Sequence, residues 1–135
     1  MNQLDIIKAP IQQELATFQA LYNDALKSDN ALLNQVLVHL RNTKGKQMRP
    51  VLTLLVARLF GSVSQQAYNA AISLELLHTA SLVHDDVVDE SDKRRGLPSV
   101  NAVFNNLLSF NTIFFIVSSS IYPDKILFFI FPFIL

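Results

Sequence analysis

There is no cysteine among the 135 residues, which excludes a disulfide framework, a thiolate zinc site and a cysteine nucleophile. Glycine is scarce, at three residues, and none of it forms a Gly-rich phosphate loop. Excess charge is absent as well: 11 Lys and Arg balance 11 Asp and Glu. That balance argues against a nucleic-acid partner, because affinity for a phosphate backbone depends on clustered cations that displace counterions. The N-terminus lacks a continuous apolar run. Asp5, Lys8, Glu14 and Asp24 interrupt it, so it does not read as a signal peptide. What the chain does have is apolar mass. Half of its residues are hydrophobic and 16% are charged, a balance suited to one modest folded domain and unlike a disordered tail.

The average conceals a break. After residue 106 the only charges are Asp124 and Lys125, and seven of the ten phenylalanines lie there. The two parts, 1–106 and 107–135, follow different compositional rules.

The first part reads as all helix. Ile11, Leu15, Phe18, Leu21, Tyr22 and Leu26 recur at spacings of about three and four, as one face of an amphipathic helix requires. Pro10 suits the first turn. Ser28, Asp29 and Asn30 form a breaker and cap before a helix carrying Leu33, Val36, Leu37 and Leu40, with its exit at Asn42–Gly45. A third helix is expected around Pro50–Phe60, stopped by Gly61. A fourth, capped by Ser62 or Ser64, should run to about Glu90. Residues 93–98 read as a polar turn, and 99–105 as the opening of another helix. No strand alternation and no repeat is visible.

The chemistry concentrates at the end of the fourth helix, in His84-Asp85-Asp86-Val87-Val88-Asp89. Asp85 and Asp89 are one turn apart on one helical face, where like charges repel unless something positive compensates them. Mg²⁺ prefers oxygen ligands and commonly binds one or two carboxylates together with substrate phosphate oxygens, so the pair suggests a metal–diphosphate site. A solvated acidic helix end is the plain alternative. Ser81 and His78 lie upstream on the same stripe, and Arg94 and Arg95 follow, offering planar multidentate donors to phosphate oxygens. An ordinary basic turn would carry the same two arginines. A second basic element, Gly45-Lys46-Gln47-Met48-Arg49-Pro50, puts Lys46 and Arg49 three apart at a helix start, near the positive end of its dipole. Its alternative is a capped helix with exposed cations.

Taken in order, Gly45-Lys46-x-x-Arg49-Pro50, then Glu75 to Asp89, then Arg94-Arg95-Gly96-Leu97-Pro98-Ser99-Val100-Asn101, the segments resemble the trans-isoprenyl diphosphate synthase (polyprenyl synthetase) family over residues 1–106. The resemblance implies the N-terminal helices of the isoprenoid synthase bundle, packed around a deep cavity. It also implies a prenyltransferase of isoprenoid biosynthesis that extends an allylic diphosphate with isopentenyl diphosphate. Asp85 and Asp89 would hold Mg²⁺, with Asp86 in support, and Arg94 would contact the allylic diphosphate. Lys46, Arg49, His78 and Arg95 would hold isopentenyl diphosphate. The growing chain would run along Ala80, Ser81, Leu77 and Leu74, where small residues imply a long-chain product and simple helix packing is the alternative. The intact family implies a cytoplasmic homodimer.

The resemblance has an end. A second aspartate-rich motif is missing, since Asp124 is the only acidic side chain after Asp92. An inactive fragment followed by an out-of-frame hydrophobic tail is therefore the preferred expectation for 107–135. A membrane anchor is the second, although Leu107–Tyr122 is only 16 residues, short of the roughly 20 a spanning helix needs. Two other functions remain open: a non-catalytic helical subunit docked on a complete synthase, and a terpene cyclase, which Gly45-Lys46-x-x-Arg49-Pro50 and the Arg94-Arg95 pair disfavour.

Overall fold

The computed structural model describes residues 2–43 and 45–121. Within them the chain is helical, as expected, with seven α-helices: α1 (Gln3–Lys8), α2 (Gln12–Ala25), α3 (Ala31–Asn42), α4 (Met48–Leu59), α5 (Gln65–Val88), α6 (Val100–Val103) and α7 (Asn106–Ile121). The helix expected to open at Pro10 is α2, and a short helix that was not expected, α1, precedes it. Pro10 sits in a single 3₁₀ turn, Ala9–Ile11, that separates α1 from α2. A proline fixes φ and donates no hydrogen bond, which suits a junction of this kind.

The caps follow the sequence. Asn30 precedes α3 and its side chain accepts from the Leu33 amide at 2.9 Å. Of the two serines offered for α5, Ser64 is the cap and accepts from the Ala67 amide. The helix ends two residues earlier than expected, at Val88, with Asp89 as its C-cap. One expectation fails outright. Residues 93–98 are more than a turn: Lys93–Arg94 (β1) and Leu97–Pro98 (β2) pair antiparallel, Lys93 against Pro98 and Arg94 against Leu97. The loop residues Arg95 and Gly96 both have positive φ, 51° and 77°, the backbone that a two-residue hairpin of the primed type demands. Strands this short leave no alternating pattern to detect.

The architecture is built around α5. Its buried residues Ile72, Leu76, Ala80, Val83 and Val87 recur every three or four positions and form one stripe. That stripe and its neighbours meet Phe18, Tyr22 and Leu26 of the α2 segment, Leu37 of α3, Val51 and Leu54 of α4, and Ile116 of α7 in one core. Val36, Val83 and Val100 make a smaller cluster beneath α6. Residues 107–121, assigned to the tail on composition, form most of α7 and pack along α5. Ser109, Thr112, Ile116 and Ser120 of α7 are buried. The Ser73 hydroxyl donates to the Ser120 carbonyl at 2.6 Å. Residues 122–135 lie outside the described residues. Among the described residues, no helix is long and apolar enough to cross a membrane.

Candidate diphosphate-binding site

A small solvent-open cleft lies between α2, α3, α5 and the hairpin. Tyr22, His39, Thr43, Gly45, Glu75, His78, Thr79, Asp86, Arg94 and Arg95 are among its lining residues. Four candidates from two segments, His78 and Asp86 of α5 and Arg94 and Arg95 of the hairpin, thus face one space. Each has its own support. The Arg94 side chain donates twice to Asp86, Nε to Oδ2 at 2.8 Å and Nη2 to Oδ1 at 2.7 Å. This fork holds the hairpin on α5 and raises the Arg94 pKa, first through the hydrogen bond to Asp86 and further through the nearby charges of Asp86 and Asp85. Arg95 donates from Nη1 to the Thr43 carbonyl at the end of α3, at 3.1 Å. His78 is lowered in pKa, chiefly by burial and then by Arg49, Arg95 and Arg94. The influence of Arg49 on it places the start of α4 in the same electrostatic field.

The acidic trio divides. Asp86 is buried, 3% exposed, and both its oxygens are engaged by Arg94. It positions that arginine, each of its oxygens accepting one hydrogen bond. Asp85 and Asp89 are exposed and are not among the cleft's lining residues. Asp85 Oδ1 lies 3.6 Å from His84 Nδ1, with both side chains exposed. Among the described residues, no group of three or more His, Asp or Glu side chains is placed to hold a metal ion. Asp85 and Asp89 remain as a pair of carboxylates without an arginine or lysine partner among those residues.

Two further candidates sit differently from the sequence expectation. Lys46 precedes α4, which begins at Met48, and Gln47 between them is left-handed with φ of 52°. Lys46 and Arg49 are therefore not stacked on one helical turn, although both are exposed. Of the four residues proposed as a chain-length wall, Leu74, Leu77 and Ser81 lie on the exposed face of α5, whereas Ala80 is buried in the core. At Ala80 helix packing accounts for the small side chain. The Ser81 hydroxyl donates to the His78 carbonyl at 2.7 Å.

Glu75 is the group that inspection of spacing passes over. It lies three residues before His78 inside an apolar stripe, 6% exposed, and its buried Oε2 has no partner among the described residues. Burial raises its pKa above 4.5, and Arg49 and Arg95 pull against that without cancelling it. Beside it the Tyr22 hydroxyl and Thr79 Oγ1 share a 3.0 Å hydrogen bond, and burial pushes the Tyr22 phenol up to about 12. The native state thus holds the Glu75 proton more tightly than the unfolded chain does. Its contribution to stability is complete below the unfolded value and is lost as pH rises through the folded value. Glu75→Gln removes that loss. The variant is expected to melt above wild type at about pH 7.5, with the margin closing near about pH 4. Equal melting temperatures at both pH values would exclude a strained carboxyl at this position.

The polyprenyl synthetase family profile matches residues 30–122. The chain belongs to the polyprenyl synthetase family. The match continues past the compositional break after Asn106, so the whole of α7 lies inside the family's region. Over 101 residues the chain is 45% identical to the all-trans-nonaprenyl-diphosphate synthase (geranyl-diphosphate specific) of Rhodobacter capsulatus, covering 74% of this chain and 31% of that one. Solved synthases superpose well. A decaprenyl diphosphate synthase from Rhodobacter capsulatus gives a TM-score of 0.80 at 35% identity, covering 87% of this chain and 37% of that chain. A polyprenyl synthase from Caulobacter crescentus, complexed with calcium and isoprenyl diphosphate, gives 0.82 at 30%, covering 88% and 36%. The fold is the all-α isoprenoid synthase bundle. The chain spans about a third of the length of these relatives.

Proposed function

We propose that this chain carries the diphosphate-receiving portion of a trans-polyprenyl diphosphate synthase. The parent reaction would join isopentenyl diphosphate to an allylic diphosphate and give a long-chain all-trans polyprenyl diphosphate. The observation behind this reading is the convergence of His78, Arg94 and Arg95 on one cleft, with Arg49 close enough to act on His78. Two arginines offer planar, multidentate donors that match diphosphate oxygens better than point charges do. Arg94, already oriented by Asp86, would receive the allylic diphosphate. Lys46, Arg49, His78 and Arg95 would receive isopentenyl diphosphate.

Asp85 and Asp89 suit Mg²⁺ as hard oxygen donors one turn apart and free of arginine, with the remaining positions left to water and diphosphate oxygens. Bound there, Mg²⁺ would neutralise charge on the departing diphosphate. The cationic side chains would do the same work from the protein's side as the allylic C–O bond breaks. The isopentenyl double bond would then attack the allylic cation, and proton loss would restore an allylic diphosphate one unit longer. Water has to be excluded during that interval. The exposed face of α5 bearing Leu74, Leu77 and Ser81 offers the growing chain an apolar track with a small residue nearest the acidic end. Four helical residues rise about 6 Å, so a bulky side chain at Ser81 would shorten the track by on the order of one isoprene unit. The long-chain products named for the relatives agree with this length.

The proposal extends to a cytoplasmic parent that pairs with a second copy, and to this chain binding diphosphate without extending it, because its sequence holds a single aspartate-rich motif. The seating of α7 on α5 favours residues 107–121 as part of the helical body over an unrelated tail. The test is titration of the chain with inorganic pyrophosphate, with and without Mg²⁺. It is followed by incubation with Mg²⁺, isopentenyl diphosphate and an allylic diphosphate. Binding strengthened by Mg²⁺ and no elongation is the expected result. Absence of pyrophosphate binding would remove the cleft assignment, and robust elongation would overturn the need for a second acidic motif.

A further inference from the structure

Gly45 is not a glycine for reasons of backbone conformation. Positive φ occurs at Gly61 and Gly96 but not at Gly45, so an alanine could adopt its backbone. What excludes a side chain is Arg95. A Cβ built on Gly45 would lie 2.5 Å from Arg95 Nη2, 2.6 Å from Cζ and 2.9 Å from Nε. The guanidinium is therefore laid flat against the α3–α4 loop at Gly45. From there it donates through Nη1 to the Thr43 carbonyl two residues earlier. Arg95 itself sits in the left-handed region at φ 51°, a conformation a non-glycine residue adopts at a cost unless its surroundings hold it. The hairpin and the loop that leads to Lys46 and Arg49 meet at this contact.

We infer that Gly45 is a positioning residue: its missing side chain lets Arg95 bridge the hairpin to the α3–α4 loop, so that the cations of both segments act as one diphosphate receptor. The inference rests on the diphosphate reading of the cleft and adds to it the residue that fixes the geometry of Arg95. A Cβ at position 45 meets the far end of a flexible side chain, which can swing aside, so Gly45→Ala should displace Arg95 more than it disturbs the fold.

The experiment is a double-mutant cycle on the whole chain with inorganic pyrophosphate as the probe, using G45A, R95A and the double variant, each with a melting curve. Arg95→Ala is expected to weaken pyrophosphate binding on the order of ten-fold, the loss of one charge-assisted donor. Gly45→Ala should approach the same loss while melting near wild type. The double variant should bind no more weakly than R95A, because the bridge can be lost only once. Wild-type affinity in G45A, or a further loss when G45A is added to R95A, would overturn the inference. If G45A fails to fold, recovery of wild-type melting in the double variant supports a clash with Arg95, and failure to recover overturns it. A separate measurement keeps this apart from the functional reading: the Arg95 Nε–Hε resonance in wild type and G45A without any anion. Should wild type bind no pyrophosphate, the diphosphate reading falls. A shifted Arg95 resonance in G45A still supports the bridge, and an unmoved one overturns it.

Discussion

Arg94→Ala is expected to cost the chain about 3–5 kcal/mol, the range for breaking a buried ion pair by removal of one partner. The asymmetry of the pair decides which partner matters more. The Asp86 side chain is 4% exposed and that of Arg94 is 32% exposed. Deleting the arginine strands a carboxylate inside the protein, where desolvation is not repaid. Deleting the carboxylate leaves an arginine that water can reach. Asp86→Ala should therefore cost less than Arg94→Ala, and the double variant should be more stable than R94A alone. Urea unfolding of the three variants against wild type measures this. An Arg94→Ala cost below about 1 kcal/mol would show that the fork is a surface contact worth little. The same fork seats the hairpin, so pyrophosphate binding should fall in R94A beyond the loss of one donor.

The second large effect concerns α7. Ile116 is fully buried against the α5 core, whereas Phe114, two residues away on the same helix, is 50% exposed. Ile116→Asp would place an unpaired carboxylate in an apolar interior. The expected cost is roughly 4 kcal/mol or more, enough to detach α7 or unfold a chain of ordinary stability. Phe114→Asp should change stability by about 0.5 kcal/mol or less, as surface substitutions generally do. Far-ultraviolet circular dichroism during urea unfolding separates the two. Equal stabilities would mean that residues 106–121 contribute nothing to the body formed by α2 to α5.

Much of this was legible before any coordinate. The spacing of three and four in Phe18, Tyr22 and Leu26, and the asparagine or serine ahead of α3 and α5, locate helices because both signals are local. An amphipathic stripe and a cap act within a few residues of each other. The basic element at Gly45–Pro50, the acidic run at Asp85–Asp89 and the arginine pair were likewise visible as concentrations of charge, since residue type alone carries charge and donor geometry. The misreadings have a common origin. Lys46 and Arg49 look like neighbours on a turn, but the left-handed Gln47 places Lys46 before the helix. Ala80 looks like part of a ligand wall, but the face of α5 that it occupies is turned to the core. Residues 107–121 look foreign because composition reports average polarity, and a helix packed along α5 can be as apolar as a membrane segment.

Sequence by itself determined that the chain is helical, that a run of acids closes its longest helix, and that a pair of arginines follows it. These are properties of nearest neighbours and of side-chain type. Tertiary structure alone decided that Asp86 serves Arg94 while Asp85 and Asp89 stay exposed, that Glu75 is held buried beside two arginines, and that Gly45 is empty space for Arg95. Each depends on which face of a helix meets which distant segment. That choice is made by packing between residues more than 50 positions apart, where no short-range pattern can record it.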